Sequence, residues 1–374
     1  MKLLLLTLLF ALALAPAPQA AAQQRQPPDR GEPAAEESPL ERRAEAEARA
    51  VVSLCVNEGD VIVRGWERNE VRARIEGEGT LRLLTPNVRP APRVEVLVSD
   101  ETDAELGAGH CGSNETVELT VPRGATVEVE ARTGHVEVAD VAEARVRVLS
   151  GDVDVRRVSR AVEVSCLSGD VSVSDSAGPV RVESVSGDVE ARNVRTTSAG
   201  DNFEAKSTSG DVTIEGVGHG NVTGAAVSGN LLYTGALARG GAYDFRTISG
   251  DVTMELPANA SFSLHAKVVV SGEIVTDFPV KTIAVTPSGA SPSASVSAGV
   301  GAPVTATAAP PPAPAPPLPG VEVTPPMPPA HVKKMPRARA PKEHESARLD
   351  GTVGTGDAVV NLSSFSGSLH LRKR

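Results

Sequence analysis

Aromatic side chains are scarce in this sequence. Only 2% of its 374 residues are Phe, Tyr or Trp, and a single one is Trp. An enzyme of this length would usually bury more aromatic area, and proteins that bind single-stranded nucleic acid need aromatic rings on which bases stack. The shortage argues against both classes. It favours a core of Val, Leu and Ala in thin, stacked β-sheets.

Clustered positive charge is also lacking. The chain carries 37 Lys and Arg against 47 Asp and Glu, which gives a formal net charge of −10. Proteins that bind nucleic acid need clustered Lys and Arg against the phosphates. We therefore expect no nucleic-acid partner.

Familiar catalytic and cofactor motifs are absent. The sequence has no H-E-x-x-H, G-x-S-x-G, Walker or dinucleotide-binding motif. Its seven histidines are not spaced with Cys, carboxylates or one another as metal ligands are. We expect no cofactor, no metal centre and no catalytic residue, so the protein is interpreted as a non-enzyme. The alternative is a polysaccharide-active enzyme with two carboxylates on a β-helix face, although few rings are available to stack on sugars.

Long apolar runs are missing except at the start of the chain. Lys2 precedes an apolar stretch from Leu3 to Leu14, and small residues end at an A-x-A site, Ala20–Ala22. This pattern is typical of a secretory signal peptide and is too short to span a bilayer. It predicts a signal peptide at residues 1–22 and an exported protein in the periplasm, at the cell surface or secreted. An uncleaved N-terminal anchor is the alternative.

Cysteine is limited to three residues. An exported protein can hold a disulfide. Cys55 and Cys111 both lie in the N-terminal third beside turn-like sequence and could pair, although connectivity does not follow from sequence. Cys166 follows Val162 and Val164 at strand spacing, so we expect it to fill a small core position.

The sequence does contain a repeated tetrapeptide, Ser-Gly-Asp-Val. Five full copies begin at Ser150, Ser168, Ser186, Ser209 and Ser249, with variants at Ser228 and Ser271 and a degenerate first copy at Thr133. Successive glycines are 17 to 23 residues apart. We assign these glycines as the repeat corners: Gly151, Gly169, Gly187, Gly210, Gly229, Gly250 and Gly272.

Valine alternates with polar residues on both sides of each corner. Val146 and Val148 precede the first full copy, and Val153 and Val155 follow it. Alternation with period two indicates half-buried strands. The phase of this alternation shifts by one residue across the Ser-Gly-Asp motif. Gly can adopt the positive φ that such a shift needs, and Asp can bond neighbouring backbone groups. Ser-Gly-Asp is therefore predicted to form the corner between two short strands.

One such unit cannot bury its own apolar face, but stacked units bury a continuous column of Val. The fold class predicted is all-β: a β-solenoid, similar to a single-stranded β-helix, of stacked 17–23-residue repeats with a disordered Pro-rich insertion. An immunoglobulin-like sandwich is the main alternative. A sandwich does not require the same tetrapeptide at every second strand.

Five segments follow from composition. After the signal peptide, residues 23–50 are a charged leader, either disordered or an end cap, with a short helix expected at Glu41–Arg49. Residues 51–285 form the solenoid repeat domain, and residues 286–345 a Pro- and Ala-rich linker whose later part is basic. Residues 346–374 return to strand pattern and are expected to close the rod, with a last corner at Gly367.

Aspartates recur at one position of the repeat. They are Asp152, Asp170, Asp188, Asp211 and Asp251. Like charges at strand spacing repel, and bound Ca²⁺ would relieve this repulsion. The chain lacks the nine-residue Gly- and Asp-rich repeats of calcium-binding β-rolls. We therefore expect structural corner aspartates that bond backbone N–H groups and keep the Ca²⁺ ladder as the alternative.

Three regions together resemble a bacterial family of β-strand-repeat proteins of unknown function, labelled "putative adhesin". They are the opening stretch Val56–Val71, the Ser-Gly-Asp-Val array and the closing stretch Gly354–Arg374. The resemblance covers residues 51–285 and 346–374, and the long Pro-rich segment departs from it. It implies a solenoid-like all-β fold at the cell envelope. It implies no established catalytic residues, and some relatives are associated with envelope-stress sensing.

The function predicted is that of an exported, non-catalytic cell-envelope protein, either an adhesin-like binding protein or a structural scaffold. Envelope polymers or surface proteins are the expected partners, and the basic residues from Lys333 to Lys342 could contact anionic polymers. Besides the polysaccharide-active enzyme, two alternatives stay open. One is a scaffold that self-associates through exposed solenoid ends, and the other is an envelope-stress sensor.

Overall fold

A computed structural model describes residues 40–76, 79–99, 111–112, 114–282 and 346–374. The signal peptide predicted at residues 1–22 and the Pro-rich linker predicted at 286–345 lie outside these residues. The described residues form strands and no helix. Accordingly, they include no helix long and apolar enough to cross a membrane.

The N-terminal strands are β1 (Leu40–Val56), β2 (Val61–Trp66), β3 (Glu70–Ile75), β4 (Thr80–Leu84), β5 (Ala91–Ser99) and β6 (Val117–Pro122). The repeat strands are β7 (Thr126–Thr133), β8 (Val136–Ala139), β9 (Glu143–Ser150), β10 (Val153–Arg156), β11 (Ala161–Ser168), β12 (Val171–Ser174), β13 (Val180–Ser186), β14 (Val189–Arg192), β15 (Asn202–Ser209), β16 (Val212–Glu215), β17 (Asn221–Ser228), β18 (Leu231–Thr234), β19 (Ala242–Ser249) and β20 (Val252–Leu256). The last are β21 (Phe262–Ser271), β22 (Ile274–Thr276), β23 (Lys281–Thr282), β24 (Ala347–Val353), β25 (Val359–Ser366) and β26 (Leu369–Lys373).

Each repeat is one coil, made of a long strand, a glycine corner, a short strand and a return turn. Long strands pair in parallel with long strands, and short strands with short strands, so that two sheets run side by side. We call them the long-strand sheet (β5, β1, β7, β9, β11, β13, β15, β17, β19, β25 and β21) and the short-strand sheet (β6, β2, β8, β10, β12, β14, β16, β18, β20, β26 and β22). The β-solenoid predicted from the repeat is confirmed.

The register between neighbouring strands explains how the hydrophobic core forms. Val153, Val171, Val189 and Val212 are direct partners on successive short strands, and all are buried. The inward residues of both sheets form one hydrophobic cluster along the described residues. Eleven parallel long strands at about 4.8 Å spacing make a rod about 48 Å long.

The helix expected at Glu41–Arg49 is wrong, because these residues belong to strand β1. The first part of β1 pairs antiparallel with β3, and its later part pairs in parallel with β5 and β7. Ala46 and Ala50 are fully buried. Ala, Glu and Arg are good helix formers, but intrinsic propensity is a weak determinant that tertiary contacts override. The alternation of charge and Ala here also has the period of a strand. Tertiary pairing therefore decides the structure.

Residues 346–374, expected to close the rod, do so only through β24, while β25 and β26 lie within the stack. Strand β25 pairs with β19 on one side and β21 on the other, and β26 lies between β20 and β22. The coil formed by β25 and β26 is thus inserted between two coils that precede it in sequence. The coil with the Gly272 corner ends the stack, and β24 and β23 complete that end in antiparallel orientation.

Candidate functional site: the corner edge

The corners stack into one edge of the rod, which we call the corner edge. Its glycines have positive φ, for example 137° at Gly169 and 134° at Gly187. A Cβ atom built on Gly187 would lie 2.2 Å from the carbonyl oxygen of Gly169 in the preceding coil. Glycine is needed here both for the backbone conformation and for the close approach of the next coil.

The recurring aspartates form a ladder along this edge. Asp152 Oδ1 accepts the backbone N–H of Asp170 at 2.9 Å, and Asp170 Oδ1 accepts that of Asp188 at 2.8 Å. The same bond continues through Asp188, Asp211, Asn230 and Asp251 to the N–H of Ser368. One side-chain oxygen of each of these Asp and Asn residues therefore holds the next coil in register.

This geometry bears on the Ca²⁺ alternative. The structure brings the five carboxylates into one row but not around a common point. Within the residues that the structure describes, no group of three His, Cys, Asp or Glu side chains is placed to hold a metal ion. An Asn also occupies the same row at position 230 and makes the same backbone bond. The backbone bonds of the row therefore do not require a carboxylate at every position.

A second row, missed in the sequence, lies inside the corner. Three residues before five of the corner glycines, small polar side chains point inward and donate to the carbonyl oxygen of the preceding corner glycine. The bonds run from Cys166 to Gly151 (3.5 Å), Ser184 to Gly169 (3.4 Å), Ser207 to Gly187 (2.9 Å), Thr247 to Gly229 (3.1 Å) and Ser364 to Gly250 (3.3 Å). A polar residue at an inward position of the alternation is the signal that could have revealed them.

Cys166 belongs to this buried row, in agreement with the core position expected for it. Burial raises the pKa of its thiol above the ordinary value. The reactive thiolate is therefore disfavoured. The other two cysteines, Cys55 and Cys111, are joined by a disulfide in the structure.

Outside the corner, large apolar side chains form a third row that faces solvent. Two residues before the glycine, six coils carry an exposed aliphatic or aromatic residue: Leu149, Leu167, Val185, Val227, Ile248 and Phe365, each 42% to 53% exposed. Thr208 interrupts this apolar row. Its N-terminal end lines a groove together with Cys55 and Cys111. The sequence signal is an apolar residue in outward phase, immediately before most of the Ser-Gly pairs.

The solvent face of the long-strand sheet carries charges of alternating sign. Glu128, Arg145, Glu163, Arg181 and Glu204 are partners on successive strands. Arg145 lies 2.9 Å from Glu128, and Arg181 lies 2.5 Å from Glu204. Such exposed pairs contribute roughly 0–1 kcal/mol each. Their alternation avoids like-charge contacts between neighbouring coils.

The carboxyl groups with displaced pKa values do not resemble a glycosidase acid. Hydrogen bonding to Arg157 lowers the pKa of Asp140, and contacts with His265 and then Arg348 lower that of Asp350. A general acid in sugar hydrolysis needs the opposite displacement. These groups are suited to ion pairs rather than to proton transfer.

One buried histidine stands apart from the corner edge. His219 lies in the return turn after β16 and is fully buried. Its Nε2 is 2.8 Å from the carbonyl oxygen of Gly178, and its Nδ1 has no hydrogen-bond partner. Burial lowers the pKa of this imidazole, against smaller opposing effects of Gly178 and Asp201. The neutral form, with Nε2–H as the donor, fits this site.

The chain is similar to several proteins of known structure. No curated protein matches the chain. Among solved structures, a "putative adhesin" from Bacteroides fragilis NCTC 9343 is 15% identical, with a TM-score of 0.40, covering 59% of this chain and 97% of its own. A "putative cell adhesion protein" from Clostridium sporogenes ATCC 15579 is 10% identical, with a TM-score of 0.20, covering 90% and 100%. A "putative adhesin" from Parabacteroides merdae ATCC 43184 is 8% identical, with a TM-score of 0.25, covering 59% and 90%.

The family itself follows from a longer match. Residues 51–295 match the model of a family described as Toastrack DUF4097. This match includes the opening stretch and the whole Ser-Gly-Asp-Val array, so it confirms the resemblance seen in the sequence. The chain belongs to the Toastrack DUF4097 family.

Proposed function

We propose that this protein is an exported, non-catalytic cell-envelope protein that binds an extended partner along its corner edge, as an adhesin or a scaffold would. The carrying observation is the row of six exposed apolar side chains on that edge. Contiguous exposed apolar surface in a soluble protein usually marks an interaction site. The signal peptide predicted at residues 1–22 supports export.

The shape of the edge favours a linear partner. Equivalent side chains repeat on successive coils at about 4.8 Å, so a partner in contact with one coil meets the same chemistry on the next. Envelope polymers and elongated surface proteins have this form. A small-molecule substrate would instead need a concave pocket with convergent polar groups.

The test is retention of the purified protein on envelope extract and on isolated envelope polysaccharides, with analysis of released products. The variant Leu167→Ser/Ile248→Ser/Phe365→Ser is expected to lose most retention. Val88→Ser, at a residue 57% exposed but off the corner edge, is the matched control and should bind normally. Equal binding by both variants would contradict the proposal. Turnover of a polysaccharide would instead support the enzyme alternative.

A further inference from the structure

The solvent face of the long-strand sheet changes its charge pattern towards the C-terminal end of the rod. In one row of direct strand partners, the first part carries both signs: Glu130 lies beside Arg147, and Glu183 lies beside Lys206. Beyond Lys206, the described part of this row has no carboxylate and continues through Ala225, Arg246, Ser363, Lys267 and Arg348. Like charges on directly opposite residues of neighbouring strands are destabilising. This stretch therefore carries positive charge that the row itself does not compensate.

The inserted C-terminal coil creates this cationic stretch. Strand β25 lies between β19 and β21, so Ser363 is the direct partner of both Arg246 and Lys267. The two long cationic side chains stand on strands about 9.6 Å apart, which is two inter-strand spacings. A short hydroxyl side chain lies between them, and hydroxyl groups can donate a hydrogen bond. We call the place formed by Arg246, Ser363, Lys267 and Arg348 the cationic recess.

The two carboxylates that line the cationic recess are already paired. Asp244 accepts hydrogen bonds from Nε and Nη2 of Arg246, both at 2.6 Å. The side chain of Asp350 is only 12% exposed. Its Oδ1 lies 2.9 Å from Nδ1 of His265, and its Oδ2 lies 2.5 Å from Nε of Arg348. These carboxylates therefore compensate the two arginines.

Lys267 is the cation of the recess that forms no ion pair with the described residues. It is exposed. Lys206, in the same row, instead contacts both Glu183 and Glu204. The three cations of the recess therefore exceed its two carboxylates by one charge, in a chain whose formal net charge is −10. A local excess of positive charge in a concave surface attracts anions.

The recess has the size and the donors of an anion site. Its side chains line a cavity of about 520 Å³, to which Asn361 adds an amide, and this volume lies within the range of small-molecule sites. Ammonium, guanidinium, hydroxyl and amide groups together suit a ligand with several acceptor oxygens.

We propose that the cationic recess binds a tetrahedral oxyanion, a phosphate or sulfate group, with Lys267 as its main charge contact and Ser363 and Arg246 beside it. Arg246 keeps Nη1 for this contact, since Asp244 engages Nε and Nη2. The proposal goes beyond the proposed function, because the recess lies on the face of the long-strand sheet and not on the corner edge. Neither site depends on the other.

Isothermal titration calorimetry of the purified protein with inorganic phosphate measures this binding. The titration is made at low ionic strength, since salt screens exposed charges. We expect one phosphate to bind per chain and inorganic sulfate to compete with it. Acetate, which offers only two oxygens, should bind more weakly. Glucose 6-phosphate distinguishes the source of the anion: tighter binding than inorganic phosphate assigns a phosphorylated saccharide, and equal affinity assigns the free ion.

Four variants test the assignment of the residues. Lys267→Gln removes the unpaired cation and should weaken phosphate binding about tenfold, whereas Lys267→Arg keeps the charge and should retain binding. Ser363→Ala removes the hydroxyl donor and should weaken binding several-fold. Lys206→Gln is the matched control, because this lysine stands in the same row but is already held by Glu183 and Glu204, and it should leave the affinity unchanged. Thermal melting of each variant checks that the fold is retained.

A native protein that takes up neither phosphate nor sulfate would overturn the proposal. Unchanged affinity in Lys267→Gln would do the same, because the anion would then bind elsewhere. Equal weakening by Lys267→Gln and Lys206→Gln would also overturn it, since binding would follow overall charge rather than the recess. A loss confined to Lys267→Gln and Ser363→Ala, with binding retained in Lys267→Arg, would support it. Retention on envelope extract is measured separately and tests only the corner edge.

Discussion

At the scale of single residues, the corner glycines hold the most restrictive positions in the rod. Gly187 combines a φ of 134° with a carbonyl oxygen 2.2 Å from where a Cβ would lie. Gly187→Ala is expected to lower the free energy of unfolding by at least ~2 kcal/mol, since strain and the collision both oppose the native geometry. Gly200→Ala, with open space around it, should change it by less than about 0.5 kcal/mol. Denaturant unfolding of both compares them, and equal effects would refute the argument.

The buried imidazole of His219 should make stability depend on pH. Burial lowers its folded-state pKa below the ordinary value of 6.5. The unfolded chain therefore binds a proton at a pH where the folded chain does not. The folded state therefore has its full stability above pH 6.5. Its free energy of unfolding decreases as pH falls from 6.5 towards the lowered pKa. His219→Gln, which can still donate to the Gly178 carbonyl, should show a smaller loss of stability between pH 7.5 and pH 5. An unchanged loss would exclude His219 as the cause.

The buried polar row and the disulfide predict which cysteine substitutions lower stability. Cys166→Ser should change stability by less than about 1 kcal/mol, because Ser184 and Ser207 occupy the same row and make the same bond. Cys55→Ser/Cys111→Ser removes the cross-link between residues 56 apart in sequence and should cost about 2–4 kcal/mol. Thermal melting under non-reducing conditions distinguishes the two. The reverse order of stabilities would contradict both assignments.

At the scale of elements, the sequence predicts the strands of each coil better than the order in which the coils stack along the rod. Alternating Val and the Ser-Gly-Asp corner specify each strand pair locally, since burial and φ act within one repeat. The order depends on which coil each repeat contacts, and neighbouring repeats are chemically similar. The position of β25 between β19 and β21 is therefore a property of the whole stack. Alternation identifies a strand through its inward residues, so it does not by itself predict the exposed apolar row.

The inserted C-terminal repeat yields a prediction of its own. Deletion of residues 346–374 removes β24, β25 and β26, and β21 then loses both of its main neighbours. Hydrogen exchange should accelerate strongly in β21 and β22, although these residues are retained. Strands β9 to β12, several coils away, serve as the internal reference and should keep their protection. If β21 stayed protected, the C-terminal repeat would have to lie at the end of the rod instead.

At the scale of the whole molecule, the ends of the rod decide whether copies join through them. Strand β4 lies antiparallel on β5 at one end. At the other end β24 lies antiparallel on β21, and β23 lies antiparallel on β24. The outermost strands at that second end, β22 and β23, are only three and two residues long. Short edge strands offer few unpaired backbone groups to a second chain.

Self-association through the solenoid ends is therefore expected to be weak. The purified protein should sediment as a single elongated species at micromolar concentration, and electron microscopy should show separate rods. Lys281→Pro/Thr282→Pro, which blunts β23 further, should not alter sedimentation. Filaments would revive the scaffold alternative, and this variant would then show whether β23 is the edge that joins them. A concentration-dependent dimer that Phe365→Ser abolishes would instead assign the contact to the corner edge, because Phe365 is half exposed there and distant in sequence from β23.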